Sequence, residues 1–173
     1  MNAEQAKFLT EFFANSMEQD GQTTAKVLAA VPDNNRDYKP DPKSRSAWEL
    51  ATHIAISDVW FVDSIIKGSF EFDPEIEKRI ASKFNNVNDL VEWYKKEFPA
   101  KLQALRALPP EKLTQVVDFF GMFQWPNASY LMFANNHSVH HRGQLAAYLR
   151  AAGSRVPSIY GGSADEPMVA AQA

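Results

Sequence analysis

Apolar residues recur at helical spacing in four long stretches of the chain, and nothing in it resembles a set of strands. The first stretch runs from about Asn2 to about Ala30, with Phe8, Phe12, Phe13, Val27 and Leu28 among its apolar positions. Pro32 ends it, and the polar segment DNNRDYKPDPKSR that follows reads as an irregular connection. A second helix opens at Ser46, where Ser46 and Glu49 form a capping box. It continues through WELATHIAISDVWFVDSII to about Lys67. The stretch from Gly68 to Val87 is less regular and is long for an antiparallel hairpin, so the helices on either side are not expected to be simple up-down neighbours.

Asn86 or Asn88 can cap the third helix, which runs to the Pro109-Pro110 stop with Pro99 inside it, a residue that should kink or divide it. A connector containing Phe119, Phe120 and Phe123 leads to Trp125-Pro126, where proline suits the first turn of a fourth helix. That helix should stop at Gly153, leaving residues 154–173 as a C-terminal coil. An all-α four-helix bundle with a long crossover between helices two and three fits this pattern. At 173 residues, one domain spanning 1–173 is the expectation.

Composition narrows the functional classes. Eighteen lysines and arginines stand against 21 acids, a net charge of -3, and no basic stripe marks a nucleic-acid binder. The absence of cysteine excludes disulfides, zinc ribbons and cysteine nucleophiles. No run approaches the roughly 18 apolar residues a membrane span needs, and the N-terminus lacks the pattern of a secretory signal. A cytoplasmic protein with no membrane partner is expected. Neither a glycine-rich phosphate loop nor a nucleophile-elbow serine is present.

The four histidines carry the candidate chemistry. At about 100° per residue, His141 lies roughly 40° from His137 on one helix face, shared with Tyr130, Ala134, Leu145 and Tyr148. His140 falls roughly 60° to the other side, nearer the edge of that face. Arg142 and Arg150 point away, as charges on a solvent or interface side. On helix two, His53 shares its face with Leu50, Ser57, Trp60 and Ser64, while Asp58 faces elsewhere. One inward histidine plus an inward i,i+4 pair makes a three-imidazole set that would suit zinc, nickel, copper or iron(II) and leave a position open. The competing reading is that these are hydrogen-bonded core histidines, although burying several imidazoles without partners is costly. Gln144, roughly 20° from His137, can serve as an outer hydrogen-bond partner or simply pack. Asn15, Ser16 and Gln19 are polar positions on the first helix where an inner lining would lie, or that face water.

The string His137-Ser138-Val139-His140-His141-Arg142-Gly143-Gln144-Leu145 resembles the HxxxHRGQ signature of the DinB/YfiT-like superfamily. His53, within WELATHIAISDVWF, stands where that family carries its first histidine, and GSRVPSIYG is similar to the segment after its last helix. The resemblance implies a four-helix bundle, often homodimeric, in which His53, His137 and His141 hold a divalent metal ion. Zinc or nickel is the expected ion, with iron, manganese and copper as further candidates. His140 lies outside the pattern and is expected at the surface, although an i,i+3 pair using His140 in place of His141 can also chelate. Relatives in the superfamily include metal-dependent transferases and isomerases that use low-molecular-weight thiols such as mycothiol or bacillithiol. The resemblance therefore implies a small-molecule substrate and a thiol-dependent S-transferase or related enzyme, with a non-catalytic, stress-related metal-binding bundle as the alternative.

Overall fold

The structure is a computed structural model that describes residues 1–168, so the last five residues of the expected C-terminal coil lie outside the described residues. Four long helices form the bundle: α1 (Ala3–Ala29), α2 (Ala47–Lys67), α4 (Val87–Arg106) and α6 (Tyr130–Ala151). Two short helices, α3 (Pro74–Ala81) and α5 (Pro110–Thr114), lie in the connections. Around the bundle each of α1 and α2 packs against both α4 and α6, so α1 and α2 sit diagonally. Leu28, Leu50, Ile54, Leu90, Leu102 and Leu145, drawn from all four helices, are fully buried between them. Gly21 lets α1 come close to α4, since a Cβ there would lie 3.0 Å from the Phe98 ring.

The start of α2 follows the expected capping box: Glu49 N donates to Ser46 Oγ at 3.1 Å and Ser46 N to Glu49 Oε2 at 2.6 Å. Asn86, rather than Asn88, caps α4 by accepting from Asp89 N at 2.9 Å. Pro99 does not divide α4, which runs unbroken to Arg106. On α1 the outward placement of Phe8 and Phe12 departs from their expected apolar role, and their rings stack on each other at 6.4 Å.

Two connections differ from the sequence reading. The crossover contains α3, started by Asp73, which accepts from Glu75 N, and by Pro74 in the first turn. Despite the long crossover, α2 and α4 do pack against each other. The connector before the last helix is a β-hairpin, with β1 (Val116–Phe119) antiparallel to β2 (Phe123–Pro126) and Val117 paired with Trp125. Its turn has Phe120 and Gly121 both at positive φ, as in a type I′ turn. Pro126 therefore ends a strand and precedes a 3-10 turn, Asn127–Ser129, and α6 starts only at Tyr130.

The hairpin fixes where α6 begins. Tyr130 OH donates to Val117 O at 2.7 Å, and the buried Asn127 amide donates to Ile65 O at 2.7 Å and Lys112 O at 3.1 Å. At its other end α6 stops as expected, with Gly153 at φ 85 just past the cap. Among the described residues no helix is long and apolar enough to cross a membrane.

Candidate metal centre

His53 lies on the second turn of α2, and His137 and His141 lie one turn apart on α6, the helix packed against it. Each of the three offers a ligand atom, and these atoms all fall within 4.8 Å of one another. The ring centroids are 5.1 Å apart for His53 and His137, 4.8 Å for His53 and His141, and 4.5 Å for His137 and His141. All three residues are half-buried, whereas His140 is exposed, as the helix phasing expects.

The imidazoles are held neutral. Burial, aided by the positive charge of Arg45 and by His141, lowers His53 to about 4. Burial, followed by the neighbouring histidines, takes His137 down to about 3. His141 is also lowered by burial, against the opposing effect of its bond to Gln144. Three neutral rings present lone pairs, which is the donor set a divalent ion of borderline softness accepts.

Outer contacts decide which nitrogens are free. Gln144 Oε1 lies 3.1 Å from His141 Nδ1, and a carbonyl oxygen only accepts, so Nδ1 carries the proton and Nε2 the lone pair. The Gln144 amide in turn donates to Tyr148 OH at 3.3 Å. His53 Nδ1 lies 3.3 Å from both Glu77 Oε1 and Ser57 Oγ. His137 Nδ1 is buried without a hydrogen-bond partner among the described residues. Such orphaned nitrogens are uncommon, and a coordinated ion would organise the ring that carries it. The residues therefore fit a bound metal ion.

Arg142 is not outward-facing. It is 1% exposed, and its guanidinium donates to Asp20 O and Thr24 Oγ1, each at 3.0 Å, and to Tyr160 OH. The Asp20 carboxylate lies 3.4 Å away, and Tyr160 OH donates to it at 3.0 Å. One residue after His137, Ser138 donates to the buried Asp58 at 3.1 Å, and Tyr94 OH donates to the same oxygen at 2.8 Å. Asp58 does face away from the histidines, but into the bundle, where burial raises it to about 7 despite those bonds. Asn15 and Gln19 are exposed, and Asn15 accepts from Arg106 at 2.9 Å, so neither lines the interior. A groove of ≈ 520 Å³ lies elsewhere, between α1 and α4, floored by Gly21, Ala25, Tyr94, Phe98 and Leu102.

Sequence reasoning missed Glu77, Asp58, Tyr94 and Ser138. For Glu77 the available signal was the Asp73-Pro74 helix start inside the crossover, which puts an acid on a short helix. For Ser138 it was the i,i+4 spacing with Arg142, which parallels that of the histidine pair.

Comparison with known proteins agrees with this architecture. The chain is 27% identical over 157 residues to the uncharacterized protein YrdA of Bacillus subtilis strain 168, covering 90% of each. It is 26% identical over 132 residues to YjoA of the same organism, covering 75% of this chain and 82% of YjoA. Among solved structures, a DinB-like protein from Bacillus cereus ATCC 10987 superposes with a TM-score of 0.69 at 27% identity, over 87% of this chain and 97% of that one. The crystal structure of DinB-like YjoA gives a TM-score of 0.67 at 24% identity, over 85% and 96%, a likeness of fold alone. The DinB family profile matches residues 2–170, nearly the full length, and the chain belongs to the DinB family.

Proposed function

We propose that this protein binds one divalent metal ion through His53, His137 and His141 and uses it in a thiol-dependent transfer or isomerisation of a small molecule. The observation that carries the reading is the convergence of three neutral nitrogen donors with, among the described residues, no fourth histidine, cysteine or carboxylate in the same cluster. Three protein donors leave room for an exogenous ligand, as catalytic rather than structural zinc sites do. When bound, a divalent ion supplies Lewis acidity, lowering the pKa of a thiol or water that reaches the open position. The chain's own part is to hold the rings: Gln144 fixes the His141 tautomer, and the pairing of α2 with α6 sets the spacing of His53 from the other two. Zinc or nickel suits the donors best. A homodimer and a cytoplasmic location belong to the same reading.

One observation favours a second reading, a non-catalytic metal-binding bundle. The ≈ 520 Å³ groove is lined by α1 and α4 residues and not by the histidines, so it is not a substrate chamber for the metal centre.

Elemental analysis of the wild type beside His53→Ala, His137→Ala, His141→Ala and His140→Ala tests the metal. Stoichiometric metal is expected in the wild type and in His140→Ala, and loss in the other three. Retention in all three would sink the assignment. The metal-loaded protein is then assayed with bacillithiol, mycothiol or glutathione and the electrophile monochlorobimane. Thiol-dependent turnover that chelation abolishes supports the enzyme; no turnover with any thiol supports the second reading.

A further inference from the structure

Glu77 occupies a position that its helix does not require it to face. Along α3, Pro74, Glu75, Ile76, Lys78 and Arg79 are exposed, and only Glu77, Ile80 and Ala81 turn toward the body of the protein. These are positions i, i+3 and i+4, one face of a helix. Ile80 and Ala81 pack against the core from that face. A carboxylate in the same stripe loses hydration and needs a donor in exchange. Its own helix supplies none, since Lys78 pairs with Glu75 at 2.7 Å, and among the described residues no lysine or arginine pairs with Glu77. Its partner is the His53 ring, with 3.3 Å between Oε1 and Nδ1.

The geometry points to Glu77 as the positioning residue of the metal centre, holding His53 with its proton on Nδ1 so that Nε2 is left as the donor. The inference rests on the metal-binding reading above. An ionised carboxylate only accepts hydrogen bonds, so the ring nitrogen beside it must donate. A neutral imidazole has one N–H, and placing it on Nδ1 leaves the lone pair on Nε2. Ser57 Oγ lies at the same 3.3 Å from Nδ1, but a hydroxyl can donate or accept and so cannot impose the tautomer. The carboxylate can. The arrangement repeats, with a charge, what the Gln144 carbonyl does for His141. Glu77 comes from the crossover and His53 from α2, so the same contact also fastens α3 to the centre without placing a fourth donor on the ion.

The test uses the full chain as wild type, Glu77→Gln, Glu77→Ala and Ser57→Ala. Nitrogen-15 correlation spectra of the histidine rings in the metal-free protein report the His53 tautomer directly. Co(II) serves as the probe for binding, with affinity measured by chelator competition and geometry by visible absorption. The wild-type ring is expected in the Nδ1–H form, and Glu77→Ala should lose that preference. The same variant should bind Co(II) about 10- to 100-fold more weakly with unchanged band positions, the usual cost of losing an outer partner. Glu77→Gln, whose carbonyl still accepts, should recover most of the affinity, and Ser57→Ala should keep the Nδ1–H form.

A wild-type ring in the Nε2–H form overturns the inference, as does Co(II) affinity in Glu77→Ala within about twofold of wild type. Cobalt bands that shift in Glu77→Ala overturn it differently, by making Glu77 a ligand. A wild type that binds no Co(II) sinks the metal-binding reading itself. The tautomer is read without metal, so that failure is distinct from a failure of Glu77 to orient the ring.

Discussion

Two i,i+4 pairs sit side by side on α6, and they are finished in opposite ways. His137 and His141 face α2, while Ser138 and Arg142, each one residue and about 100° further round the helix, face the interior. The second pair finds its partners within the chain, although Asp58 Oδ1 is left buried without one among the described residues. Ser138 meets Asp58 of α2, which also takes the Tyr94 hydroxyl of α4, and Arg142 meets Asp20 and Thr24 of α1. Donors there find acceptors within the chain, and all four long helices are tied together. The first pair has no such closure. Three imidazoles approach one another with their lone pairs, and burial keeps protons off them at neutral pH. A polar cluster whose donors are met within the chain serves the fold; one of converging lone pairs suits a ligand from outside.

The largest expected effect separates the two pairs. Arg142→Ala leaves Asp20 without its guanidinium and opens a buried site, and should cost the metal-free protein about 3–5 kcal/mol in urea denaturation. His137→Ala should cost the metal-free protein much less while abolishing metal binding. Equal losses from the two variants would erase the distinction between them.

A smaller effect appears in the pH dependence of the metal-free protein. His53 and His137, at about 4 and about 3, lie below the ordinary 6.5, so the unfolded chain takes up protons first as pH falls. Their contribution is full above pH 6.5 and is lost as pH drops through those values. Asp58 runs the other way: raised from 3.8 to about 7, it contributes fully below pH 3.8 and loses that contribution as pH rises through 7. Between pH 4 and pH 6.5 the two histidines and Asp58 therefore act in opposite directions, and Asp58→Asn, which removes the opposing contribution, should make the urea midpoint fall more steeply as pH drops through that window. An acid slope left unchanged or made shallower in that variant contradicts the assignment.

The smallest effect concerns the residue after Arg142. Gly143 is exposed in mid-helix, and a Cβ there would meet nothing within 4 Å. Gly143→Ala should raise stability by about 0.5–1 kcal/mol, read from thermal melting. A loss instead would mean that a second copy of the chain covers that face, which sedimentation of wild type and variant would show.

Much of this was legible because helix geometry is local. The capping box at Ser46 and Glu49, the stop at Gly153 and the shared face of His137 and His141 all follow from residues within two turns of each other. Arg142 was misread because a helical wheel assumes one inward face, whereas α6 is packed on both the α2 and the α1 side and Tyr160 covers the guanidinium from the tail. The hairpin escaped because its strands have four residues each and its turn uses Phe120-Gly121 in place of an asparagine-glycine pair. Glu77 escaped for another reason. Its meaning depends on where α3 docks, and eight residues with no fully buried side chain carry little pattern to say so.

The Ser138–Arg142 network also acts as a stop on rotation. Imidazole nitrogens sit about 5–6 Å from the axis of their helix, so a roll of α6 by some 20° would carry them about 2 Å, as far as a zinc–nitrogen bond is long. Guanidinium contacts to α1 and a hydroxyl contact to α2 oppose such a roll from two sides. The machining tolerance of the centre is thus set by residues that touch none of its donors.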